Sequence, residues 1–377
     1  MKAAVRRFGG WAVRTALLAG AIIAVQPPNR LAGQDSQFGI RGLGTPGKWE
    51  SVRARSTGGA FAPFDPFSPL IDAPLGDIRR MSASITTGTS WRSVAFDSGN
   101  TSLRGTRFPA LVLAGPATRR IVIGGGFSTY LDRTFGILTH DTIVLRGVPQ
   151  PITDLLQSDG AVTDLRIAAA SRVSSWLTLG AGFHLLTGST RMIATRTFTD
   201  TAYRTSTSRN EVAYSGKGGS FSALIDLSRD LRIAGWYRVD SKLRADLNGR
   251  TAAENDLPPS YGAGIQWRVG GQATVAAMAS WRNWASVHAT PDAHNTFNWS
   301  FGAELGSTAP LRFGVRGGQL PFAVGQTPTE VGFSGGLGRQ FSGGRGRLDL
   351  GIERLQRKGA GLTERVWTFL LGLTVRP

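Results

Sequence analysis

The sequence predicts an all-β chain: a transmembrane antiparallel β-barrel of about fourteen strands with an N-terminal segment plugging its lumen. Three observations lead there. Side-chain polarity alternates with a period of two along most of the chain after residue 80. Connections alternate between tight turns and longer loops, as in barrels of the outer membrane. An export signal precedes the rest, yet no later stretch reaches the 18 or so apolar residues that a membrane helix needs.

The first 33 residues read as a signal peptide. Lys2, Arg6, Arg7 and Arg14 form a positive start, and Thr15 to Val25 is an apolar run too short to span a bilayer. Cleavage near Gly33 follows. This address implies export and, with a barrel behind it, the outer membrane of a Gram-negative bacterium.

Residues 34–80 lack alternation and are rich in Gly, Pro and Ser. Phe61, Phe64, Phe67, Leu70 and Ile71 make the segment too apolar for a solvated tail. Fourteen strands enclose a lumen wider than wall side chains alone fill. The segment is therefore expected to fold inward as a plug.

Residues 81–377 carry the strands, expected near 81–96, 108–117, 121–135, 161–174, 176–198, 218–228, 231–252, 260–270, 273–289, 296–307, 311–322, 329–341, 346–359 and 364–377. In the seventh, Tyr237 and Val239 alternate with Arg238 and Asp240, and on a pleated strand these face opposite ways. The oily side should meet acyl chains, and the charged side the lumen. Gly136–Gly160 and Thr199–Lys217 are the longest expected loops. Aromatic residues near strand ends, among them Tyr130, Phe135, Trp176, Tyr237, Trp284 and Phe341, suit interfacial girdles.

Composition narrows the chemistry. The chain has no Cys and four His, so disulfides, Cys-bound zinc and thiol nucleophiles are excluded. No metal site and no cofactor are expected. The formal net charge is +18, but the Arg residues are scattered and never form a basic run, so no nucleic-acid partner is expected. Gly42-Leu43-Gly44-Thr45-Pro46-Gly47-Lys48 matches phosphate-loop patterns, yet Trp49 follows the Lys and no strand–loop–helix unit surrounds it. Gly332-Phe333-Ser334-Gly335-Gly336 matches a nucleophile elbow but lies within a strand. His184 faces the lumen with Ser189 nearby and no assignable acid. The chain is not expected to be an enzyme.

Several segments, in order, resemble the FadL-type transporters of hydrophobic compounds in the outer membrane. Gly42-Leu43-Gly44, Ser51-Val52-Arg53-Ala54, Gly58-Gly59-Ala60 and Asp65 resemble that family's N-terminal hatch. Leu257-Pro258-Pro259-Ser260-Tyr261, Ser280-Trp281-Arg282-Asn283-Trp284 and Leu311-Arg312-Phe313-Gly314-Val315-Arg316 resemble later strands. Two departures stand out: Ile71-Asp72-Ala73-Pro74-Leu75 where the family's hatch has Asn-Pro-Ala, and an ending Arg376-Pro377 in place of a terminal aromatic residue.

The resemblance implies passive uptake of long-chain fatty acids or hydrocarbons, which leave sideways into the bilayer. It makes Gly42, Gly44, Arg53, Gly58, Gly59 and Asp65 plug residues, and Gly124, Gly125 and Gly126 of the third strand the place of a kink and lateral opening. Arg191, Arg238 and Arg316 are candidates to hold a ligand carboxylate, because guanidinium binds it as a planar fork. Expected partners are the hydrophobic ligand, outer-membrane lipid and lipopolysaccharide, and the barrel-assembly machinery. The alternative is a structural or secretion-associated barrel that carries no small molecule.

Overall fold

The computed structural model describes residues 36–376, apart from 41, 49, 97–98, 287–292, 323–324 and 360. The expected signal peptide lies outside the described residues. Alternation along the chain produces one antiparallel sheet closed on itself, with fourteen wall strands.

They are β1 Ser82–Phe96, β2 Gly99–Pro116, β3 in two pieces (Ile121–Asp132 and Phe135–Leu145), β4 Val148–Arg172, β5 Leu177–Phe198 and β6 Ser206–Asp226. β7 (Leu231–Asp240 and Leu243–Leu247) and β8 (Arg250–Asn255 and Ser260–Val269) are also interrupted. β9 Ala273–Arg282, β10 Thr296–Leu305, β11 Leu311–Gln319, β12 Thr329–Phe341, β13 Gly346–Gly359 and β14 Leu362–Val375 complete the wall. Closure comes from β14 pairing with β1, with Trp367 opposite Trp91. A closed sheet satisfies its own backbone hydrogen bonds without water, which is what allows strands to cross lipid.

The two faces separate as alternation predicts. Ile167, Phe183, Phe221, Tyr237, Trp267, Phe301, Phe313 and Phe369 are exposed on the outside, while Arg166, His184, Arg238, Asp240, Gln266, Arg312 and Thr368 are buried inside. No helix among the described residues is long and apolar enough to cross a membrane.

Four expectations need correction. Gly136–Gly160 is no loop: the second piece of β3 pairs with β4 from Phe135↔Ser158 to Leu145↔Val148. A two-residue turn at Arg146 and Gly147, both with positive φ, closes that hairpin as type I′ turns do. Most of Thr199–Lys217 likewise belongs to β6, which begins at Ser206. The expected strand 231–252 contains a hairpin turn at Asn248-Gly249, again with φ positive at both residues. Finally, Tyr130, Phe135 and Trp284 are buried rather than placed at an interface. Tyr130 and Trp284 pack inside with Leu43, Leu186, Leu243 and Phe322.

Residues 36–80 contribute a short helix, α1 (Val52–Ser56), 3₁₀ turns at Gln37–Gly39, Ala62–Phe64 and Ala73–Asp77, and a two-residue strand at Thr45–Pro46. Ser51 caps α1 by accepting from the Ala54 N–H at 3.1 Å. Phe61, Phe64 and Ile71 bury themselves against inward side chains Leu224, Ala234, Trp236 and Ala276. Leu75 and Phe67 do the same against Val112, Val122 and Ala168. This burial against inward-facing wall residues is what holds the segment within the barrel.

Candidate functional site

The N-terminal segment is fixed by charge as well as by packing. Arg53 makes a two-pronged contact with Glu304 of β10, at 2.9 and 2.7 Å, and lies over the Phe61 ring. Arg55 makes the same fork to Glu353 of β13. Arg312, fully buried on β11, joins Glu304 to Asp349 with bonds of 2.7 Å to each. Asp65 accepts from the Ser51 hydroxyl and from the Phe67 N–H, tying α1 to the turn that follows. Gly58 passes so close to β11 that an added Cβ would sit 2.7 Å from the Val315 carbonyl oxygen, and Gly59 faces Ser300, Met278 and Glu50. Breaking a buried, forked pair by removing one partner costs about 3–5 kcal/mol, so these contacts hold the segment in one place.

Among the described residues the wall is incomplete between β2 and β3. β2 pairs with β3 only from Ala110↔Ser128 to Pro116↔Val122. Beyond that, Gly99–Pro109 pairs with β1 alone, and β3 pairs with β4 alone. The vacated edge of β3 is taken by the N-terminal segment, with Thr45 opposite Asp132 and Pro46 opposite Leu131. The Gly47 N–H then donates to the Tyr130 carbonyl at 2.9 Å. A Cβ on Gly47 would lie 2.0 Å from the Thr129 carbonyl oxygen, and one on Gly44 2.4 Å from that of Asp132. The glycines of the phosphate-loop-like motif therefore serve close backbone approach; Gly42 likewise abuts the Phe322 ring. Arg107 of β2 spans the same split, pairing with Asp132 at 2.9 Å and donating to the Thr134 hydroxyl.

Gly124, Gly125 and Gly126 lie just before the split, still paired on both sides. A Cβ on Gly126 would fall 2.0 Å from the Leu111 carbonyl oxygen, so β2 and β3 are pressed together there. The irregularity in β3 falls beyond them, between Thr129 and Leu131.

A buried cluster that sequence reasoning missed joins Ile71-Asp72-Ala73 to the wall. Asp72 pairs with Arg166 at 2.9 Å and accepts from the Ser220 hydroxyl at 2.6 Å. His184 bridges Ser220 (2.8 Å from Nε2) and Asp164 (2.9 Å from Nδ1). Asp, His and Ser in this order invite comparison with a hydrolytic triad. The chemistry is different, because the serine hydrogen is committed to Asp72. With that hydrogen on Asp72, the Ser220 oxygen presents lone pairs toward the His184 ring. The arrangement clasps the segment to the wall.

Of the three candidate carboxylate-binding arginines, Arg238 is taken up by Asp164 at 2.6 Å and Asp240 at 2.9 Å, and stacks over Tyr130. Arg191 is exposed on β5, in register with Asp159 and Glu211. Arg316 sends Nε toward Glu330 and Nη1 toward Glu353. It lines a cavity of about 160 Å³ between Pro46, Gly47, Lys48 and Glu50 and the wall from β7 to β13. A second cavity of about 100 Å³ lies on the other side of Pro46-Gly47-Lys48. It reaches Arg107, Thr129 and Asp132 at the split. Among the described residues no group of His, Asp or Glu is arranged to hold a metal ion.

No protein-family model matches the sequence, and no curated protein is detectably similar to it. Solved structures do match in fold. A Pseudomonas aeruginosa FadL homologue aligns with TM-score 0.63 and 14% identity over 89% of this chain and 100% of its own. The toluene transporter TbuX of Ralstonia pickettii aligns with TM-score 0.58 and 16% identity over 86% and 98%. The P. putida toluene transporter TodX aligns with TM-score 0.58 and 14% identity over 88% and 99%. The chain thus has the fold of the FadL-type channels.

Proposed function

We propose that this chain is an outer-membrane channel through which hydrophobic small molecules enter the cell passively and leave sideways into the bilayer. The observation that carries this reading is the split between β2 and β3, occupied by Thr45–Pro46 and flanked by a cavity. A ligand in the larger cavity has a short route past Lys48 to the smaller one, and from there to the wall opening, if residues 44–48 shift. Pro46 lacks an N–H and the paired stretch is two residues long, so this stopper is held by few hydrogen bonds. A compound that partitions into lipid needs no energy source to leave by such a door. Long-chain fatty acids and hydrocarbons are the ligand classes in view. The clasp at Asp72 and the forks at Arg53 and Arg55 anchor the rest of the segment, which acts as the plug.

Native mass spectrometry of protein taken from its membrane, with extraction of bound small molecules, tests the reading. A released hydrophobe supports it. A stable protein partner with no small molecule bound favours a structural barrel instead.

A further inference from the structure

The larger cavity is not built for a pure hydrocarbon. Its apolar lining includes Trp236, Met278 and Leu70. Three other lining side chains present buried polar atoms that have no hydrogen-bond partner among the described residues: Arg316 Nη2, Ser300 Oγ and Glu50 Oε2. All three residues line this one cavity. They come from different elements, β11, β10 and the N-terminal segment, so their convergence is a product of the fold. Ser300 Oγ and Glu50 Oε1 both face Gly59, 3.7 and 4.0 Å from where a Cβ there would stand.

The set contains a donor that cannot accept, an acceptor, and a hydroxyl that does either. The lining carries both signs of charge, so an anionic ligand end would meet Glu50 and Glu330, and a cationic one would meet Lys48, Arg282, Arg316 and Arg357. A hydrocarbon would leave all three atoms desolvated and unpaired, which weakens binding by about tenfold per group. A neutral hydroxyl supplies what each lacks: lone pairs for Arg316 Nη2, a hydrogen for Glu50 Oε2, and either for Ser300 Oγ. The geometry points to a small oxygenated amphiphile, a phenol or an alcohol of similar size, as the compound this cavity selects. The inference rests on the channel reading only in taking the cavity as a stop on the ligand's route.

Calorimetric titration of the full-length, detergent-solubilised protein with phenol, toluene and benzoate tests it. Phenol should bind about tenfold or more tighter than either of the others, the margin expected when one or more buried polar groups are paired. Ser300→Ala and Glu50→Gln, each a small change at the cavity wall, should each cut the phenol-over-toluene ratio several-fold. The inference is overturned by toluene binding as tightly as phenol, by a preference for benzoate, by no binding of any of the three, or by a ratio that neither variant moves. Phenol selectivity in binding together with no uptake by cells would refute the channel reading and leave the site standing. Uptake of toluene with no phenol preference would do the reverse.

Discussion

Ser220 of the wall and Asp72 of the N-terminal segment lie 2.6 Å apart, with the hydroxyl donating its hydrogen to the carboxylate. Behind the pair stand His184 and Asp164 on one side and Arg166 on the other. The contact links residues separated by 148 positions in sequence and, with its neighbours, holds the N-terminal segment to β4, β5 and β6.

Ser220→Ala should destabilise this attachment by about 1–3 kcal/mol, because Asp72 and His184 each lose a buried partner. The heat needed to unfold the barrel on an SDS gel should fall, and protease should cut residues 36–80 more readily. Asp72→Asn should do the same, and the two changes together should cost less than their sum, since they damage one contact. Strict additivity would argue against the clasp.

Lys48 makes stability depend on pH. Its ammonium is pushed down to about 7 from an ordinary 10.5, first by removal from bulk water and then by Arg316, against the pull of Glu330 and Glu353. Between about pH 7 and 10.5 the folded chain has released this proton while the unfolded chain still holds it. The contribution of Lys48 to stability therefore rises with pH across that window and is flat below it. Lys48→Met should remove the rise, as followed by thermal unfolding at several pH values. An identical slope in the variant would contradict this assignment.

Phe301 stands on the outer face, 55% exposed, in the middle of β10 and in register with Ala277 and Val315. If that face meets hydrocarbon, Phe301→Arg should cost about 2–4 kcal/mol near the bilayer midplane. The fraction of protein that folds into liposomes should drop, while a barrel whose outer face meets water would tolerate the change.

Much of this architecture is legible in the sequence, for a physical reason. A strand between lipid and lumen must alternate, and Tyr237-Arg238-Val239-Asp240 does so residue by residue. Where that constraint lapses, legibility lapses too. The hairpin from Phe135 to Gln157 has no single buried face along most of its length, and Pro149 and Pro151 disguise it as a loop. The Asn248-Gly249 turn carried a recognisable signal, masked by the strong alternation that leads into it. The plug glycines are readable as glycines, yet the need for Gly47 appears only once the Thr129 carbonyl is beside it. Arg238 looked available although Asp240, two residues on and on the same face, is one of its partners; the other, Asp164, is 74 residues away, and no local pattern joins Asp72 to Ser220 and His184. The polar seat at Arg316 was half legible: the arginine could be named, while Ser300 and Glu50 come to it only through register and the path of the plug.

The account turns on passage of small molecules through this wall, and uptake by intact cells measures that most directly. The full chain is expressed in a Gram-negative host that lacks a channel of this type, and accumulation of labelled phenol and toluene is followed at low external concentration. The account predicts initial uptake several-fold faster than in cells carrying an empty vector, and faster still when Gly47→Val displaces the stopper from the edge of β3. Uptake equal to the vector control, with the protein folded and heat-modifiable in the outer membrane, would contradict it.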